Sequence, residues 1–164
     1  DMARLYTTQY GIKTTGIRPF MVFGNNEKSK GDYASTISLF VWMMLRGEDP
    51  TVWSDGNQKR DFIHVDDVVK VYTLAMEKDF PHAEVFNAGT GVETSMNQVI
   101  QHINEYLGTN YTPIYVPPKL PVYTRRSLAD PTKAEKILGF KAEIPVKEGI
   151  ARVIRANGGP AQSA

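Results

Sequence analysis

The sequence predicts an α/β fold with some parallel strand pairing, and three observations predict it. Short β-branched or aromatic runs alternate with stretches that carry apolar residues at helical spacing. Gly47, Gly108 and Gly139 each follow such a stretch, where a helix needs a residue that tolerates positive φ. The composition is that of a globular domain: 164 residues, 41% hydrophobic and 23% charged. A chain of this size can bury roughly two-thirds of its unfolded surface, enough for a real core.

In chain order, Met2, Leu5, Tyr6 and Tyr10 place a short helix over 1–10, closed by Gly11. Thr14 to Phe23 is β-branched and aromatic and reads as a strand leading to a loop, with Asn25-Asn26 in a polar loop over 24–32. Apolar positions 37, 40, 41, 44 and 45 mark a helix over 34–46. Thr51–Trp53 is a short strand, Ser54–Asn57 a turn, and 61–65 another strand. Asp66 is the expected N-cap of a helix to Glu77, with Val68, Val69, Tyr72, Ala75 and Met76 as its buried stripe. A strand over 84–88 runs into the turn Gly89-Thr90-Gly91. Thr94 or Ser95 caps a helix to Leu107, and 111–116 is a strand. Three prolines make an extended loop over 117–121. Asp130 is the expected cap of the next helix, with Pro131 at its first position. A last helix spans 146–155, and 158–164 reads as a frayed tail. The strands are too few and too short for a complete doubly wound sheet.

Composition excludes several functions. Nineteen Lys and Arg against 18 Asp and Glu leave a net charge of +1, which gives no reason to expect nucleic acid or an anionic membrane as partner. With no cysteine there is no disulfide, thiolate nucleophile or Cys-bound metal, and a reducing, cytoplasmic setting is expected. The longest apolar run, 37–45, is too short to span a bilayer. The Asp1-Met2-Ala3 start lacks the pattern of a signal peptide, and without an initiating Met the chain reads as a piece of something longer.

The strand–helix alternation invites a test for dinucleotide binding. That needs G-x-G-x-x-G between a strand and a helix, so that backbone N–H groups meet the pyrophosphate. Gly89-Thr90-Gly91 lacks the third glycine and reads as a β-turn. The chain has no P-loop and no G-x-S-x-G. His64, His82 and His102 are too scattered for a metal site, and Asp61, Asp66 and Asp67 would point in different directions from a strand and a helix start. Arg60, between a polar turn and an apolar strand, suits bidentate phosphate binding and equally a salt bridge to Asp61 or Asp66. Spacing does not choose between them. Arg125-Arg126 by itself reads as a solvated pair, and Trp53 as a core residue.

Five segments in order resemble one family. Arg18-Pro19-Phe20-Met21-Val22-Phe23-Gly24 is similar to R-[PY]-F-N-V-[YF]-G, and Lys30–Ser35 to the loop and helix start that follow it. Asp55 to Val68 is similar to D-G-x-Q-x-R-D-F-[IV]-x-V-x-D-[VL]. Phe86–Gly91 is similar to F-N-[VLI]-G-[TS]-G, and 129–140 to A-D-x-x-K-A-x-x-x-L-G-[WF]. The family is that of the extended short-chain dehydrogenases that act on nucleoside-diphosphate sugars, the NAD-dependent epimerases and dehydratases of the UDP-glucose 4-epimerase kind. The resemblance covers most of residues 10–150.

The resemblance implies that this chain is the C-terminal, substrate-binding part of such an enzyme with the last strands of its Rossmann sheet. Residues 1–24 would end the Rossmann domain. Residues 25–157 would be mainly the substrate region, with a Rossmann strand and helix returning near 60–90. The N-terminal Rossmann part, with its G-x-x-G-x-x-G and its helical Y-x-x-x-K pair, would be the missing partner of this chain; NAD belongs to the full-length parent. Pro19 and Phe20 would lie by the nicotinamide. Met21 stands where an Asn usually donates to the substrate's phosphate, a bond that Met cannot make. Tyr33 would sit at the substrate loop, Val52 and Trp53 at the nucleotide base, and Arg60 on the diphosphate. The second diphosphate cation falls among Lys119, Arg125 and Arg126, with Arg126 the choice, and Tyr123 is a further substrate contact. The implied ligand is a nucleoside-diphosphate sugar. The alternative is a stand-alone module that binds such a ligand without catalysis. An uncovered Rossmann-facing surface would favour a homodimer.

Overall fold

A computed structural model describes residues 2–118 and 124–161. Four of its five strand pairings are parallel. Strand β1 (Thr15–Pro19) pairs with β6 (Glu84–Ala88). One residue later the same run continues as β2 (Met21–Phe23), now beside β5 (Phe62–His64). Strand β3 (Thr51–Trp53) pairs with β8 (Ile114–Val116). The two-residue strand β4 (Lys59–Arg60) lies between β7 (Thr94–Ser95), antiparallel, and β9 (Arg126–Ser127), parallel.

Strand β5 separates two cores, because successive side chains of a strand point to opposite faces. Phe62 faces a cluster built by α2 (Thr36–Leu45), α4 (Met96–Leu107) and α6 (Val146–Ala156). Ile63 faces a second cluster with α3 (Val65–Met76), α5 (Thr132–Leu138) and Phe86 of β6. Gly149 lets α6 approach closely: a Cβ there would overlap the Phe23 ring. The opening helix α1 (Met2–Tyr10) buries no residue.

Asp61 sits at the crossing of these pieces and is fully buried. Its backbone N–H donates to the Ser127 carbonyl at 2.8 Å, and its own carbonyl accepts from the Met21 N–H at 3.0 Å. Its carboxylate accepts from the Thr90 N–H and hydroxyl, the Gly91 N–H and the Ala129 N–H, at 2.7–3.2 Å. A Cβ at Gly89 would collide with the Ala129 methyl and this carboxylate, so the turn above it must be glycine.

The structure corrects several local expectations. His64, not Asp66, is the N-cap of α3: its Nδ1 accepts from the Asp66 N–H at 3.3 Å. The α3 stripe is shifted. Val68, Val71 and Ala75 are buried with Asp67, whereas Val69, Tyr72 and Met76 are exposed. Asp67 is consumed structurally, accepting from the Glu143 and Ile144 N–H groups at 3.0 Å. Pro131 is the N-cap of α5 rather than its first helical residue, while Asp130 still accepts from the Thr132 N–H. The polar stretch after Asn26 is not all loop but a 3₁₀ helix over Glu27–Tyr33. It is anchored by buried Glu27, whose carboxylate accepts from Lys30, Ser35 and Ser38. Ser95 caps α4 in a full capping box with Gln98, as its sequence suggests. At the other end, the Gly159 N–H donates to Ile154 and the Tyr106 hydroxyl to the Pro160 carbonyl. Residues 162–164 lie outside the described residues.

Asp61→Ala would leave three backbone N–H groups without their acceptor, a loss of about 3 kcal/mol or more. Urea unfolding is expected to show a lower midpoint, with faster hydrogen exchange at Thr90, Gly91 and Ala129. A wild-type midpoint would show these bonds to be dispensable.

A pH dependence follows as well. Burial pushes His64 below its usual value of 6.5, against the pull of the Asp66 carboxylate and with repulsion from Arg152. The folded state thus holds this imidazole neutral while the unfolded chain protonates, so stability falls as pH drops below about 6.5. Burial raises the Glu27 carboxyl, but hydrogen bonds from Lys30, Ser35 and Ser38 outweigh it and leave a net lowering. Its contribution is present above its ordinary 4.5 and is lost as acidity increases further. Unfolding midpoints at pH 7.5, 5.5 and 4 are expected to decline in that order; a flat profile would contradict the burial of His64.

Candidate functional site

The turn leading to Arg60 is held from three sides. Ser54 and Gly56 take positive φ, and a Cβ at Gly56 would fall on the Asn97 amide. Asp55 accepts from the Asn57 N–H, Asn97 Nδ2 donates to the Asp55 carbonyl, and Gln58 Nε2 donates to the Trp53 carbonyl. The chain then enters β4 with Arg60 half-buried, its guanidinium donating to the Lys59 carbonyl at 2.8 Å. Neither carboxylate considered in the sequence is set aside for Arg60. Asp61 is bound by backbone groups, and Asp66 pairs with Arg152 at 3.2 Å.

Register decides which cations share a face with Arg60. Arg60 is opposite Thr94 and Ser127, whereas Lys59 is opposite Ser95 and Arg126. Residues directly opposite one another project to the same side, and successive residues to opposite sides. Lys59 and Arg126 accordingly meet one carboxylate, that of Glu93, at 2.8 and 2.5 Å. Their hydrogen bonds hold the Glu93 carboxyl below the usual range. The structure therefore does not bring Arg126 together with Arg60, and Glu93, which sequence reasoning missed, engages it. Arg125 pairs with Asp55 at 3.1 Å. Lys119 and Tyr123 lie outside the described residues.

The remaining expected site residues are dispersed around this sheet. Pro19 is exposed at the end of β1, and the Phe20 N–H donates to the Ala88 carbonyl. Met21 packs against the first core. Val52 is buried in that core, so it offers a ligand only its backbone; Trp53 is half-buried beside it. Tyr33 is 93% exposed at the end of the 3₁₀ helix.

The N–H groups of Thr90 and Gly91 are taken by the Asp61 carboxylate, so this turn has an internal anion and cannot cradle a pyrophosphate. The spacing Y-x-x-x-K does occur at Tyr115–Lys119, but Tyr115 is on a strand that runs into two prolines, and its hydroxyl donates to Asn97. Among the described residues no group of His, Asp and Glu is placed to hold a metal ion, and no helix is long and apolar enough to cross a membrane. The best-formed cavities lie away from Arg60. One of about 630 Å³ is lined by α4 and Tyr111, and one of about 810 Å³ by α1 and the start of β6. Arg60 lines neither of these two cavities.

Comparison with known proteins supplies a context for that surface. The chain is 40% identical over 155 residues to a putative UDP-glucose 4-epimerase of Methanocaldococcus jannaschii, a match covering 94% of this chain and 48% of that protein. It is 32% identical over 150 residues to the UDP-glucose 4-epimerase of Mycolicibacterium smegmatis, covering 92% and 47%. The crystal structure of the Thermotoga maritima UDP-glucose 4-epimerase with UDP-glucose superposes with a TM-score of 0.85 at 36% identity, over 93% of this chain and 48% of that one. The chain thus spans about half the length of the curated relatives it matches. The model of the NAD dependent epimerase/dehydratase family matches residues 1–89, more than half of the chain. With the parallel α/β framework and the ordered motifs from Arg18 to Phe140, this match shows that the chain belongs to the NAD dependent epimerase/dehydratase family.

Proposed function

We propose that this chain is the C-terminal, nucleotide-sugar-binding portion of a NAD-dependent nucleoside-diphosphate-sugar epimerase or dehydratase. The observation that carries the reading is the likeness, over 93% of this chain, to an epimerase crystallised with UDP-glucose. In this reading Arg60 grips the diphosphate, because a guanidinium fork matches the oxygens of a phosphate better than a point charge does. The Asp61 carboxylate holds the backbone beneath it, so the fork is presented from a rigid strand. Trp53 and the backbone around Val52 face the base, Tyr33 contacts the ligand from the end of the 3₁₀ helix, and Tyr123, outside the described residues, is assigned as a further contact. Arg126 joins the diphosphate only by leaving Glu93. Met21 withholds the side-chain donor that an Asn there would supply.

NAD, when bound, supplies the hydride chemistry of this family's enzymes. The residues described here do not build its site: the chain has no complete glycine fingerprint, and its G-x-G turn is filled by Asp61. Pro19 and Phe20 at the end of β1 are the contribution assigned to this chain beside the nicotinamide. In this reading the cofactor site and the acid–base pair belong to the N-terminal Rossmann part. The working compartment in this reading is the cytoplasm.

Calorimetry with UDP and UDP-glucose tests the reading. Arg60→Ala is expected to weaken binding about tenfold to a hundredfold, the worth of a charge-assisted hydrogen bond pair. Equal affinities in the two proteins would remove Arg60 from the site. In a coupled assay with NAD and UDP-glucose, the purified 164-residue chain is expected to give no turnover. Steady turnover would refute the assignment of the reactive groups to a separate part.

A further inference from the structure

Five of the chain's arginines are paired with carboxylates: Arg46 with Glu48, Arg125 with Asp55, Arg126 with Glu93, and Arg152 and Arg155 with Glu148. Arg4 on α1 and Arg18 on β1 have no ion pair or hydrogen bond from their side chains to any described residue. Both line the same cavity, of about 810 Å³, between α1, the outer face of β1 and the segment 81–85 that leads into β6. Arg60 is not among its lining residues.

The placement follows from strand alternation. Phe86 and Ala88 face the second core, and their partners on β1 are Ile17 and Pro19. Gly16 and Arg18 therefore project from the other side of the β1–β6 pair, with Val85, toward α1. Gly16 leaves room there, since a Cβ on it would only touch Val85 at ordinary contact distance. Lys133 also lines the cavity. It is tied to the Glu84 carboxylate and to the Val85 carbonyl at 3.0 Å, so the acidic group on the wall is already neutralised. The wall thus carries an excess of two positive charges, with the Thr8 hydroxyl and the His82 imidazole as further polar groups. Two other cavities among the described residues differ in kind: Glu105 lines both the one beside α4 and Tyr111 and one between α4 and α6, and Glu148 also lines the latter.

Like charges converge on a cavity at a cost unless an anion offsets them, and two guanidinium forks match phosphate geometry. We propose that the cavity between α1, β1 and segment 81–85 binds a phosphate group of a small phosphorylated ligand, held by Arg4 and Arg18, at a site separate from the diphosphate site assigned to Arg60. The inference stands on this geometry alone and does not require the proposed function to hold.

Titration of the isotope-labelled chain with inorganic phosphate, followed by amide NMR, tests it. At low ionic strength the shifts are expected to concentrate at residues 4, 7, 8, 18 and 82–85, and to shrink as salt screens the site. Arg4→Gln/Arg18→Gln is expected to weaken phosphate binding, read from the shifts at these residues, about tenfold or more. Both arginines are exposed, and the same spectrum reports whether the double variant is folded. Should the double variant unfold, Arg18→Lys, which keeps the charge but loses the fork, is expected to bind several-fold more weakly. The proposal is overturned by shifts that map to Arg60 instead, by wild-type affinity in the folded variants, or by no saturable binding of phosphate.

Discussion

Everything near the candidate site rests on one buried carboxylate. Asp61 ties the strand carrying Arg60 to the Gly89–Gly91 turn, to Ala129 and, through its backbone, to Met21 and Ser127. These partners lie up to 68 residues from Asp61 in sequence. A buried carboxylate is costly in an apolar interior, but here every donor around it is a fixed backbone or hydroxyl group, so the charge is solvated by the fold itself. The same bond network explains why the strand pairing changes hands at this point, from β6 beside β1 to β5 beside β2.

The two cores give that junction its rigidity. Phe62 and Ile63 follow Asp61 directly and enter opposite cores, so the strand is gripped from both sides. A residue immediately before such a strand has little freedom, and that is the condition a phosphate-binding guanidinium needs. The opposite end of the molecule contrasts with this. Helix α1 buries nothing, and Met2, Leu5, Tyr6 and Tyr10 are exposed along it. A short helix with no buried face draws little stability from packing.

Electrostatics sort the basic residues into separate groups. Lys59 and Arg126 share Glu93, and Arg125 rests on Asp55, so the cations around the Arg60 sheet are largely paired. Arg4 and Arg18 are not, and they gather elsewhere. A net charge of +1 conceals this arrangement, because it averages a neutralised sheet with a cationic cavity.

Local signals were legible in the sequence wherever neighbouring residues decide the outcome. The cap at Ser95 and the glycine C-caps at Gly108 and Gly139 depend on contacts within a few residues. So did the order of motifs that marks the family. What sequence could not supply was any interaction across the chain. The capping role of His64 and the exposed side of α3 depend on which face meets the second core, and apolar periodicity alone shifts that face by one residue. The two-residue strands β7 and β9 have no periodicity to read and exist because β4 pairs with them. The separation of Arg126 from Arg60 and the lining of one cavity by both Arg4 and Arg18 are matters of register and packing. Composition and local chemistry by themselves determined the α/β class, the helix ends and the family; only the tertiary structure decided which charges meet, because that is set by contacts between residues far apart in the chain.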